Sequence, residues 1–156
     1  MAVAALKADG SVVTWGLPAR GGDSSGVTLS NVREIVPAKD GGFAALKGDG
    51  SVVAWGYSTL GSSPRTLSNV RAIYSTGGSY VAVKADGSVS VWGGSFSGGR
   101  LNGANPTDVR EIYSTKSAFA ALRTDGSVVS WGDSNYGGSY SGATLSNVRE
   151  IYSTAF

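Results

Sequence analysis

Apolar residues come in short runs along the chain, and the runs repeat. Four segments align: AVAALKADGSVVTWG from Ala2, FAALKGDGSVVAWG from Phe43, YVAVKADGSVSVWG from Tyr80 and FAALRTDGSVVSWG from Phe119. Their tryptophans, Trp15, Trp55, Trp92 and Trp131, stand 40, 37 and 39 residues apart. A second signature (NVREI from Asn31, NVRAI from Asn69, DVREI from Asp108, NVREI from Asn147) recurs at 38, 39 and 39 residues. A fixed period of about 39 residues marks a repeat architecture. The expected organisation is one repeat domain over 1–156, with units near 1–30, 31–68, 69–107 and 108–146, and 147–156 completing the first.

Each unit reads as β. The pairs Asp9-Gly10, Asp49-Gly50, Asp86-Gly87 and Asp125-Gly126 separate two runs rich in Val, Ala, Leu and aromatics. That is a hairpin signal, because glycine supplies the positive φ a tight turn needs. With Asp49-Gly50 as a two-residue turn, Ala44, Leu46, Val53 and Trp55 share one face, and Phe43, Ala45, Val52 and Ala54 the other. The β-branched, aromatic segment VREIYST, Val148 to Thr154 in the last copy, predicts a third strand. A Gly/Ser-rich stretch of 12 to 14 residues after each Trp-Gly leaves room for a short fourth. No stretch sustains a 3.6-residue apolar period, so almost no helix is expected. Both hairpin faces are apolar and must be covered. Small repeated sheets covered on both faces are the blades of a β-propeller. The fold expectation is therefore all-β: four blades of about 39 residues per chain.

The string ALKADGSVVTWG followed by a glycine-rich loop resembles the repeats of the regulator of chromosome condensation family. All four copies carry the Asp-Gly and Trp-Gly elements, so the resemblance runs along the whole chain. It implies a β-propeller, in a family that usually closes with seven blades. The family's Cys-Gly after the first strand is replaced by Tyr74-Ser75-Thr76, its His is missing, and only fragments such as Gly137-Gly138 remain of its Gly-Gln-Leu-Gly. The family's nucleotide-exchange and chromatin-binding activities are accordingly not carried over.

The chain opens on a hairpin without its preceding strand and ends on NVREIYSTAF, the strand that precedes a hairpin elsewhere. The C-terminal strand is expected to complete the N-terminal blade and remove exposed strand edges. It does so within one chain, giving four blades, or between two chains, giving eight; a segment cut from a longer propeller is a third reading. Four blades meet at steep angles and need bulky wedges, whereas eight allow close sheet contact. The paired small residues Ala44-Ala45 and Ala120-Ala121 favour the homodimer.

Composition narrows the chemistry. Glycine is abundant (24) and proline scarce (4), which excludes collagen-like and Pro-rich disordered chains. No apolar run approaches the ~20 residues of a membrane span, and no export signal is apparent at the N-terminus. Cysteine and histidine are both absent, excluding thiolate metal sites and Ser-His-Asp or Cys-His catalysis. No phosphate-loop motif occurs, and no cofactor or metal is implied. Basic residues number 13 against 11 acidic and are dispersed, not gathered into the stripe that nucleic acid requires.

The candidate binding residues lie in the variable loops after each Trp-Gly: Tyr57, Phe96, Tyr136 and Tyr140, with Arg20, Arg65 and Arg100. Aromatic-plus-Arg content suits a contact surface on a rigid scaffold, although the aromatics would equally serve as blade-edge packing. Arg33, Arg71, Arg110 and Arg149 recur in the inner strand, as a channel anion site or as partners of Glu34, Glu111 and Glu150. The tryptophans read as packing between blades, and the hairpin aspartates as turn residues. The functional expectation is a non-catalytic scaffold that binds a protein through one face. The alternative is a carbohydrate-binding propeller with one shallow site per blade, using Tyr and Asn or Asp.

Overall fold

The structure, a computed structural model, describes residues 1–57, 67–140 and 145–154. Among these residues, eleven strands form four antiparallel sheets. The first blade holds β1 (Ala2–Leu6) and β2 (Val12–Gly16). The second holds β3 (Val32–Pro37), β4 (Phe43–Lys47) and β5 (Val52–Trp55). The third holds β6 (Val70–Ser75), β7 (Ser79–Lys84) and β8 (Val89–Gly93). The fourth holds β9 (Val109–Ser114), β10 (Ala118–Arg123) and β11 (Val128–Gly132). Each three-stranded blade is a meander with its middle strand between its sequence neighbours. The first strands β3, β6 and β9 approach one another from blade to blade. They are the inner strands.

The hairpin turn is one residue longer than the Asp-Gly signal implies. The Lys47 N–H donates to Ser51 O (2.9 Å) and the Gly50 N–H to Lys47 O (3.0 Å), leaving Gly48, Asp49 and Gly50 as a three-residue loop. Gly50 takes φ +77°, the left-handed residue that follows a type I turn in such loops. The extra residue moves the register, so Phe43 faces Trp55 and Ala45 faces Val53. The expected face assignment is therefore corrected: Phe43, Ala45, Val53 and Trp55 share one side, and Ala44, Leu46, Val52 and Ala54 the other. Sidedness changes; the need to cover both sides does not.

Consecutive blades meet on these faces. One buried cluster joins Ala44, Leu46 and Val52 of the second blade to Tyr80, Ala82 and Trp92 of the third. A second joins Val81 and Val83 of the third to Phe119, Ala121 and Trp131 of the fourth. Alanine at 0% exposure in each middle strand (Ala45, Ala82, Ala121) lets the sheets approach closely. Phe43, Tyr80 and Phe119 stack on the tryptophan opposite, with centroids 5.1 to 5.6 Å apart.

Two expectations differ. No fourth strand forms among the described residues; the stretch after Trp-Gly opens instead with a 3-10 turn at Pro18–Arg20, Ser95–Ser97 and Ser134–Tyr136. Glycines at its end, Gly21, Gly98 and Gly137, turn the chain left-handed and break any extended run. Nor does the C-terminal segment 147–154 pair with β1 in this chain; it forms no strand, and the first sheet has two strands only. The segment instead occupies the inner-strand place of a next blade: the Val148 N–H donates to Gly126 O (2.9 Å) as Val109 does to Gly87 O (3.0 Å).

Candidate functional site

The blade meander puts the inner-to-middle connections and the post-Trp turns at one end, and the Asp-Gly loops at the other. At the first end the turns are anchored by side chains the sequence left unremarked. Thr76 Oγ1 donates to Ser97 O (2.9 Å) and Thr115 Oγ1 to Tyr136 O (2.7 Å). The repeated Tyr-Ser-Thr at 74–76 and 113–115 was the available signal. On this frame the Arg20 guanidinium lies 4.8 Å from the Tyr57 ring centroid, and Lys116 Nζ lies 5.6 Å from that of Tyr136. Such cation-over-ring pairs contribute about 0.5–1 kcal/mol when exposed. Phe96 is 86% exposed between them in sequence. A cavity of about 400 Å³ opens beside Arg20, bounded by Met1, Leu17, Pro37 and Phe43.

The structure thus brings Arg20 and Tyr57 together and gives Tyr136 a cation, Lys116, that sequence reasoning missed. Tyr140 goes elsewhere. Its hydroxyl donates to Val128 O (2.9 Å), at the Asp-Gly end of β11, so it folds back along the blade edge. Arg100 is exposed, and Arg65 lies outside the described residues.

The inner-strand arginines have protein acceptors. Arg33 Nη2 donates to Arg71 O (3.1 Å), Arg71 Nη2 to Val109 O (2.8 Å) and Arg110 O (2.9 Å), and Arg110 Nη2 to Arg149 O (2.7 Å). Each guanidinium therefore stitches its blade to the next, a charge-assisted bond to a carbonyl and not the inter-blade Arg-Glu pairing the sequence suggests. The ion pair found among the described residues is local, Arg149 to Glu150 at 3.9 Å, with Arg149 almost fully exposed.

The other repeated side chains serve the scaffold. Trp55 Nε1 donates to Gly21 O (3.0 Å) and Trp131 Nε1 to Gly98 O (3.1 Å), each reaching the preceding blade's turn. Asp9, Asp49, Asp86 and Asp125 each accept from both the N–H and the hydroxyl of the serine two residues on, at 2.6 to 2.9 Å. These bonds hold all four carboxyls below their ordinary pKa. Among the described residues no three metal-ligating side chains gather.

Stacked antiparallel sheets, inner strands together and loops gathered at one end, define a β-propeller arc. Solved structures agree and specify the kind. The chain is similar to Prp20p from Saccharomyces cerevisiae (18% identity, TM-score 0.59, 84% of this chain and 43% of that one). Human WBSCR16 gives 20% identity and TM-score 0.60 over 94% of this chain and 48% of that one. The ectodomain of the Arabidopsis thaliana receptor kinase ACR4 gives 19% and 0.63 over 94% and 51%. The fold is the RCC1-like propeller, Prp20 being the yeast RCC1. No family model and no curated protein sequence matches the chain. The chain spans about half the length of these solved structures.

Proposed function

We propose that the protein is a non-catalytic propeller scaffold that binds another protein through its post-Trp loop face, and that two chains close one eight-bladed ring. The observation that carries the binding reading is the display of Arg20, Tyr57, Phe96 and Tyr136 on one end of a rigid stack. Aromatic and arginine side chains on a fixed frame form contact hot spots. The neighbours support the same reading: Prp20p has been characterised for binding Gsp1p and histones, and for its complex with Kap60. The absence of His and Cys from the sequence removes the commonest catalytic bases and thiolates. Two-chain closure is supported by the unpaired segment 147–154 and by the first blade's missing inner strand. The carbohydrate reading gains nothing comparable, since Trp55, Trp92 and Trp131 already stack on Phe43, Tyr80 and Phe119.

The test is a stoichiometric partner captured by the wild-type chain and then challenged with variants. Phe96→Ala with Tyr136→Ala should weaken that complex by about 10-fold or more, while Lys84→Ala at the Asp-Gly end leaves it unchanged. Equal loss from both ends, or specific glycan-array signals that Phe96→Ala leaves intact, would overturn the loop-face assignment.

A further inference from the structure

We infer that the open face of the first blade and the open face of the fourth are two halves of one docking site, filled by a second copy of this chain in a defined register. This rests on the two-chain reading above and specifies its junction. The three inter-blade junctions inside the chain supply the template. At each, one blade's hairpin glycine accepts from the valine that starts the next inner strand: Gly10 from Val32, Gly50 from Val70, Gly87 from Val109. Gly126 accepts from Val148 in the same way, at 2.9 Å, with no blade behind it. Asn147 takes φ +57°, the left-handed kink of Asn31 (+55°), Asn69 (+57°) and Asp108 (+54°) at the same place in their repeats. The segment from Val148 to Thr154 repeats residues 109–115 letter for letter, VREIYST. It is an inner strand in waiting.

The socket beside it is also formed. A Cβ on Gly21 would meet the Phe43 ring at 2.7 Å, and one on Gly98 the Phe119 ring at 2.6 Å, because an aromatic of the next blade presses on that glycine. Gly137 shares their left-handed turn, φ +92°, and has nothing within 4 Å among the described residues. Next to it a cavity of about 300 Å³ is lined by Tyr113, Ala118, Ala120, Ile151 and Tyr152. The matching plug is at the other end of the chain. Val3, Val13 and Trp15 share a face of the first blade and are 44%, 46% and 52% exposed, whereas Trp131, at the same repeat position as Trp15, is 2% exposed.

Superposing the repeats fixes the contacts. β9 pairs with β10 as Ser114 to Phe119, Tyr113 to Ala120, Ile112 to Ala121 and Glu111 to Leu122. The second copy's strand therefore sets Ser153 against Val3, Tyr152 against Ala4, Ile151 against Ala5 and Glu150 against Leu6. Trp15 of one copy donates its indole N–H to Gly137 O of the other, as Trp131 does to Gly98 O. The Ala8 N–H donates to Asn147 O, as Gly48 does to Asn31 O. Each chain offers one plug and one socket, so two copies close a ring with two such junctions.

The chain has no cysteine, so an engineered pair reports cleanly. Strand partners opposite each other fall within disulfide reach. Ala4→Cys with Tyr152→Cys should give a covalent dimer under mild oxidation, while Ala4→Cys with Ser153→Cys, one residue off, should not. Val13→Glu, whose side chain is already exposed in the single chain, should raise the dimer dissociation constant at least about 10-fold with an unchanged far-UV spectrum. A covalently closed monomer, or a dimeric mass in which neither cysteine pair bonds, overturns the junction. A monomeric mass for the wild-type chain overturns the two-chain reading itself.

Discussion

Trp131 and Trp15 hold the same place in the repeat and have opposite surroundings. Trp131 stacks on Phe119 at 5.6 Å, donates to Gly98 O and is 2% exposed, whereas Trp15 is half exposed. Emptying the first site removes a packed indole and leaves a cavity. Trp131→Ala is therefore expected to lower unfolding stability by about 3–5 kcal/mol, read as a urea midpoint shift. Trp15→Ala, at a dilution where chains are apart, should cost well under half of that. A sequence places both tryptophans in packing, because their neighbours are alike; it cannot show that one lacks a blade in front of it. The arginines teach the same lesson. Arg33, Arg71 and Arg110 were legible as a repeated inner-strand position, but their acceptors are carbonyls of the next blade, and a carbonyl has no letter in the sequence.

At the level of the element, strand order and blade content were readable from period and turn chemistry, while sidedness was not. Asp-Gly marks a hairpin, yet the loop begins one residue earlier, at Ala8 in the first copy and Gly48 in the second, and one residue is enough to exchange the faces. The loops carry a pH signature. Bonds from Ser11, Ser51, Ser88 and Ser127 hold the four turn aspartates below their ordinary pKa when folded. Their contribution is present above the unfolded carboxylate range, near pH 4, and is lost as pH falls through the lowered folded values. At the alkaline side, burial pushes the Tyr80 phenol up, so its contribution is present below about pH 10 and lost above it. Tm should be level between these limits and fall on both sides. Asp49→Asn, which keeps an acceptor oxygen, should soften the acid limb; an acid limb unaltered in Asp49→Asn and in the corresponding Asp9, Asp86 and Asp125 variants would remove the aspartates from the account.

Across the whole molecule the repeat makes one interface and uses it three times within the chain. The inner strand of one blade, the hairpin of the same blade and the turn of the blade before it recur with the same bonds. Such a stack is quasi-one-dimensional, and its two ends are complementary by construction. The propeller class was legible because four copies of a two-sided hairpin admit few other arrangements. Closure was not, because pairing between chain ends depends on the angle between blades, which no residue encodes singly. The most direct test of the account is the mass of the 156-residue chain by light scattering across a concentration series. The account predicts a plateau at twice 15.8 kDa. A constant mass of 15.8 kDa at every concentration would contradict it.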